Sequence, residues 1–225
     1  HLLELRTRLI RVLICLGILS VAGIPFASQI YAFVASPLLD ILPAGSSMIA
    51  TQVTSPFMAP LKLVLFSALL ITMPYLFYEI WMFMSPGLYK NEKSFVAPLM
   101  VSTILLFSAG VVFAYLVVLP IIFKFFIGVA PESIQVMTDI NQYLSFVIKL
   151  IFAFGIAFEI PIATFLLIRT GIAKKESLIK ARPYLIILFF VIGMLLTPPD
   201  IFSQLFLAIP MWILFELGLL FSKNK

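Results

Sequence analysis

The chain has 225 residues, of which 63% are hydrophobic and 11% charged, with a formal net charge of +5. Ordinary soluble domains are about half apolar and about a quarter charged. This composition excludes a soluble globular enzyme, a disordered chain and a nucleic-acid binder with a basic face, and it points to a membrane protein. The single cysteine, Cys15, excludes an intrachain disulfide framework and a cysteine-based metal site.

A spanning helix needs about 20 apolar residues to cross a hydrocarbon core about 30 Å thick. Six segments qualify as candidates: about 12–34, 61–84, 96–119, 144–168, 184–196 and 201–221. Continuous apolar runs of this kind favour helices over alternating barrel strands. Arg6, Arg8 and Arg11 precede the first segment as they would a signal peptide, but the apolar run is too long and no small-residue cleavage site follows, so it reads as a retained helix. His1 stands where an initiating methionine would, so upstream residues are expected.

Two longer loops, about Ala35 to Pro60 and about Pro120 to Tyr143, mix Pro, Gly, Ser and Asp with apolar residues and predict caps with short interfacial helices. The fifth segment has only 13 apolar residues before Thr197-Pro198-Pro199-Asp200 stops it. At 1.5 Å per residue it rises about 20 Å, roughly 10 Å short of a bilayer core. Helices five and six are therefore expected as a short hairpin. Pro25, Pro74, Pro161 and Pro210 fall inside apolar segments and should bend them. The expected fold is all-α, a curved bundle of six spans with a concave face.

The basic residues orient it. Arg6, Arg8 and Arg11; Lys90 and Lys93; Arg169, Lys174, Lys175, Lys180 and Arg182; and Lys223 and Lys225 make up 12 of the 15 lysines and arginines. Helix parity puts all four groups on one side, which the positive-inside rule makes cytoplasmic, with both termini. Lys62, Lys124 and Lys149 fall near the opposite helix ends. No convincing internal repeat is present, which weighs against a secondary transporter.

The acidic residues divide by depth. Glu159 lies inside the fourth segment, where a charge costs about 2.5–3.5 kcal/mol on insertion scales. It fits a protonated side chain bonded to a neighbouring helix, or a substrate or proton site. Glu79 and Glu216 lie nearer cytoplasmic helix ends and read as interfacial. Glu4 and Arg8 have the i,i+4 spacing of a helical ion pair, and Glu92 lies between Lys90 and Lys93. Glu4 and Glu92 fit either solvated pairs or a carboxylate clamp for a guanidinium. Asp200 at the Pro-Pro turn fits a cap for helix six better than an acid catalyst. His1 is the one histidine, and zinc-binding, nucleophile-elbow and phosphate-loop patterns are all missing. The residues point to no enzyme and no cofactor. A transporter or channel using Glu159, an ATPase-driven permease and an intramembrane enzyme are the rival classes.

Several motifs fall together in order: His1-Leu-Leu-Glu4-Leu-Arg6-Thr-Arg8, Ser55-Pro56-Phe57, Ser85-Pro86-Gly87-Leu88-Tyr89-Lys90-Asn91-Glu92, Phe158-Glu159-Ile160-Pro161, and Leu195-Leu196-Thr197-Pro198-Pro199-Asp200-Ile201-Phe202-Ser203-Gln204. Their order and spacing resemble the TatC family of the bacterial twin-arginine translocase over essentially the whole chain. The resemblance implies a signal-peptide receptor in the cytoplasmic membrane that exports folded proteins using the proton-motive force. It implies Glu4 and Glu92 as the carboxylates for the paired arginines, with Arg6, Phe83, Leu88 and Lys90 nearby. Glu159 matches the family's intramembrane acid, Pro37 a proline of the first outer loop, and Asp200 the turn between helices five and six. Met194, Thr197 and Gln204 match a contact region for the single-helix partners TatA and TatB. Membrane lipids and self-association in the receptor complex complete the implied partners.

Overall fold

The computed structural model describes residues 2–42, 47–84, 93–129, 137–197 and 201–222. In chain order the elements are α1 (Leu2–Gly23), a 3₁₀ turn (Ile24–Phe26), α2 (Ala27–Leu39), β1 (Met48–Ile49), α3 (Ser55–Met84), α4 (Lys93–Phe113), a π-helical stretch (Ala114–Val118), α5 (Leu119–Val129), β2 (Thr138–Asp139), α6 (Ile140–Ala157), α7 (Ile160–Arg169), α8 (Lys175–Lys180), α9 (Arg182–Leu196) and α10 (Ile201–Phe221).

Among the described residues, five helical stretches are long and apolar enough to cross a membrane: Leu3–Leu39, Ser55–Met84, Val96–Val129, Ile140–Arg169 and Ile201–Phe221. The shorter apolar helix is α9, with 15 residues, or about 22 Å at 1.5 Å per residue. The expectation of a short sixth helix is corrected. With 21 residues α10 rises about 31 Å, so the shortfall belongs to α9 alone.

Most helices outrun their apolar cores. α1 begins ten residues before the expected start because Leu2–Arg11 contains no breaker and keeps apolar side chains at helical spacing. α2 runs through Pro37, α3 starts at Ser55, and α5 carries the third stretch to Val129. A bilayer limits how long an apolar run must be, not where a helix ends. The expected outer-loop position of Pro37 is corrected accordingly. It is buried in the last turns of α2. Having no N–H, it leaves the Phe33 carbonyl without its ladder donor, and the Ser36 hydroxyl donates to that carbonyl at 3.0 Å.

Prolines also mark the departures from α geometry. Pro25 lies in the 3₁₀ turn, and the π stretch directly precedes Pro120, whose ring disrupts the regular ladder. Pro161 removes the donor for Ala157, where α6 ends. Pro74 and Pro210, by contrast, lie within uninterrupted helices.

The chain forms two compact units. The first comprises His1–Ile104 and Phe123–Ser145. In it α3 packs against α1 and α2, and a Cβ on Gly23 would lie 2.9 Å from Val64 Cγ1, so the missing side chain lets the helices approach. β1 and β2 pair in parallel, Met48 with Thr138 and Ile49 with Asp139. Among the described residues this strand pair stands where interfacial helices were expected.

Around the strands, the Thr51 hydroxyl donates to Asp139 at 2.6 Å and the Asn141 amide donates to the Ser55 hydroxyl at 2.5 Å. Tyr143 donates to the Val34 carbonyl at 2.9 Å. Asp139 also caps α6 by accepting from the N–H groups of Asn141 and Gln142, both at 3.0 Å. The Thr51 hydroxyl first, then the Gln142 N–H, hold the Asp139 carboxyl below its ordinary value.

The second unit comprises Leu105–Ile122 and Phe146–Lys225. Here α10 packs against both α7 and α9. It buries Leu207, Met211, Phe215 and Leu219. A Cβ on Gly218 would lie 2.8 Å from Thr164 Cβ and 2.9 Å from Pro161 Cα, so α7 and α10 meet through a small-residue contact of the kind membrane helices favour. α8 was expected as loop. Its Lys175 ammonium donates to the Ser222 carbonyl at 2.8 Å, tying the helix to the end of α10.

Candidate functional site

The first two turns of α1 carry Glu4, Arg6, Arg8 and Arg11. Residues four apart on a helix are neighbours and residues two apart are not. The Arg8 guanidinium accordingly turns back to Glu4, donating from Nη2 at 2.8 Å and from Nε at 3.3 Å, both to Oε1. Arg6 is exposed on another side of the helix.

The other arm of Arg8 crosses to α3. Its Nη1 donates to Glu79 Oε2 at 2.7 Å, and the Tyr75 hydroxyl donates to Glu79 Oε1 at 2.8 Å. The expected interfacial position of Glu79 is thus corrected, because its side chain is only 5% exposed. A buried carboxylate needs a hydrogen-bonded counter-ion, and Arg8 with Tyr75 satisfies both oxygens.

Exposure falls along this chain of groups, from 40% for Glu4 to 18% for Arg8 to 5% for Glu79. One end meets solvent and the other is fixed in the helix contact. Trp81 steadies the next turn of α3 by donating to the Thr103 hydroxyl at 3.3 Å. Phe83, one turn beyond Glu79, is half-buried.

Two hollows flank the pair. The first, about 380 Å³, is lined by Leu3, Glu4, Thr7, Arg8 and Arg11. The second, about 410 Å³, continues past Arg11 to Ile14, Cys15, Ile18, Leu19 and Tyr75. A half-polar hollow and an apolar one therefore adjoin at Arg11 along the same helix. The first can take a cationic group against Glu4, and the second an apolar segment.

Of the expected site residues, the first unit places Glu4, Arg6 and Phe83 near one end of α1 and α3, while Leu88, Lys90 and Glu92 lie outside the described residues, as does Asp200. The sequence reading missed Glu79 and Tyr75 as parts of this network. Their i,i+4 spacing was visible, but the guanidinium bonded to Glu79 lies 71 residues from it in sequence.

In the second unit Glu159 stands between α6 and α7 and not mid-helix. Its N–H donates to the Ile156 carbonyl at 2.9 Å, and its own carbonyl accepts from Ala163 at 2.9 Å. The break follows from Pro161, two residues on. The side chain is half-buried, and Oε1 is out of reach of solvent. On the α9–α10 hairpin Met194 is exposed, Gln204 is half-buried, and Gly193 lies 3.5 Å from the Gln204 backbone, measured from where its Cβ would stand. Thr197 is buried and its hydroxyl donates to the Gly193 carbonyl at 2.9 Å. Arg182 joins the start of α9 to Glu216 on α10 at 2.6 Å, with side chains 41% and 25% exposed.

These features define a helical, multi-span membrane protein with a carboxylate–guanidinium network at one end of its first helix. Residues 1–210 match the family described as Sec-independent protein translocase protein (TatC). The TatC of Azotobacter chroococcum mcd 1 is 54% identical over 222 residues, covering 99% of this chain and 87% of that protein. The TatC of Escherichia coli K12 is 50% identical over 223 residues, covering 99% and 86%. A crystal structure of the twin-arginine translocase receptor TatC in DDM superposes with a TM-score of 0.90 at 36% identity, covering 99% of each chain. A second crystal structure of that receptor gives 0.87 at 37% identity, covering 98% of this chain and 96% of the other. The chain belongs to the TatC family.

Proposed function

We propose that this chain is the signal-peptide receptor and core subunit of a twin-arginine translocase, exporting folded proteins across the cytoplasmic membrane with the proton-motive force. The observation that carries the reading is Glu4, a half-exposed carboxylate already holding a guanidinium at 2.8 Å in a solvent-facing hollow. An arginine side chain is always charged and offers a planar fork matched to carboxylate. The adjoining apolar hollow suits the apolar stretch that follows the arginines in a signal peptide. Glu92 supplies the second carboxylate in this reading, with Arg6, Phe83, Leu88 and Lys90 around it.

The clustering of basic residues puts both termini in the cytoplasm. Glu159 works as the acid of the membrane interior, Pro37 shapes the buried end of α2, and Asp200 serves the turn between helices five and six. Exposed Met194 and half-buried Gln204, with Thr197 between them, form the contact for the single helices of TatA and TatB, and the receptor self-associates and contacts lipid.

Binding of a synthetic peptide with two adjacent arginines followed by an apolar stretch tests the reading. Glu4→Gln is expected to weaken binding about tenfold, the value of hydrogen bonds to a charged group. The deficit should be larger at low salt, where the lost attraction is least screened. Unchanged affinity at low salt would refute the role of Glu4.

A further inference from the structure

We propose that Arg8 is a built-in competitor for the peptide's arginine. It occupies Glu4 in the unliganded receptor and gives it up, without leaving Glu79, when a peptide guanidinium arrives. This rests on the reading of Glu4 as a peptide-binding carboxylate.

The geometry is that of a ligand already in place. Arg8 presents to Glu4 the donors a bound arginine would present, Nη2 at 2.8 Å and Nε at 3.3 Å. Both converge on Oε1, and among the described residues Oε2 of Glu4 accepts no bond. An incoming guanidinium can engage Oε2 before the resident one leaves Oε1, so exchange proceeds without baring the carboxylate.

The two ends of Arg8 are unequal. At Glu4 the partner is 40% exposed and the pair has i,i+4 spacing, the class of ion pair that contributes least. At Glu79 the partner is 5% exposed, and a buried carboxylate stripped of its cation is heavily penalised. The Tyr75 hydroxyl at 2.8 Å holds Glu79 in place. The Glu4 contact is therefore the labile one and the Glu79 contact the anchor. Glu79 acts here as a positioning residue that keeps the competitor beside the site.

A resident ligand lowers the affinity for every exchanging ligand by the fraction of time it occupies the site. The barrier excludes weak single-charge encounters and leaves a peptide with two arginines enough interaction to overcome it.

The test is the double variant Arg8→Gln with Glu79→Gln in the full chain. It removes one positive and one negative charge, so the net charge is unchanged and no buried carboxylate is stranded. Affinity for the twin-arginine peptide, by calorimetry in detergent or nanodiscs, is expected to rise about twofold, the value of an exposed pair of this spacing. Structural damage would lower it. The same double variant placed on Glu4→Gln is expected to give no rise, since the occupied carboxylate is gone. If the polar double variant fails to fold, Arg8→Met with Glu79→Met carries the same expectation, because apolar replacement of a buried pair is well tolerated. Unchanged or weaker binding in the folded double variant overturns the competitor while leaving Glu4 in the site. If Glu4→Gln itself has no effect on peptide binding, the underlying reading fails and the competitor falls with it.

Discussion

Among the described residues, two arginine–glutamate pairs join different helices, and they differ in depth. Arg8–Glu79 links α1 to α3 at 2.7 Å with Glu79 5% exposed. Arg182–Glu216 links α9 to α10 at 2.6 Å with both side chains a quarter or more exposed. The distances are nearly equal, so distance does not separate them. Desolvation does. A pair in water gives little because each ion is already solvated, whereas a buried ion depends on its partner. The first pair makes the position of Arg8 obligatory; the second leaves Arg182 free to exchange with water.

Severing each pair sharpens this contrast. Arg8→Ala strands Glu79. The expected loss is about 3 kcal/mol, the low end for a broken buried pair, since water can enter where Arg8 was partly exposed. Thermal unfolding in detergent should show the drop, and adding Glu79→Gln to Arg8→Ala should restore most of it. Glu216→Gln is expected to cost about 1 kcal/mol or less, with the same measurement. Equal losses at the two sites would break the comparison.

The smallest effect belongs to Asp139, whose partners are neutral donors. Its carboxyl is held below the ordinary value of 3.8. Its contribution is fully present above that value and is lost as pH falls through the lowered folded one. Asp139→Asn is expected to lower neutral-pH stability slightly and to flatten the acid limb of the pH–stability curve below about pH 4, since the titrating group is gone.

The contrast also explains what the sequence could reveal. Long apolar runs exposed the spans because the solvent, not tertiary packing, demands them. The Glu4–Arg8 pair was visible because helical spacing is local. Glu79 was misplaced because its burial depends on a cation 71 residues away, which no local pattern records. The limits of α1, α2 and α3 were missed for a different reason: hydropathy reports the apolar run a bilayer needs, and these helices continue beyond the runs so assigned. Glu159 was read as lying inside the fourth segment, but Pro161 sets it at a helix break, a consequence readable from the missing N–H two residues away.

The stretch Leu3–Leu39 spans 37 residues, about 55 Å of helix. Even at a tilt of about 40°, the upper range for spanning helices, it would project about 42 Å along the membrane normal, beyond a core of about 30 Å. The surplus falls at the end bearing Glu4, Arg6, Arg8 and Arg11, since the other end carries no charge before Asp40. By this length argument Glu4 falls in the headgroup layer. On the proposed reading of Glu4, a peptide adsorbed there by its apolar stretch would meet it by lateral diffusion, and the search for the receptor would become a problem in two dimensions.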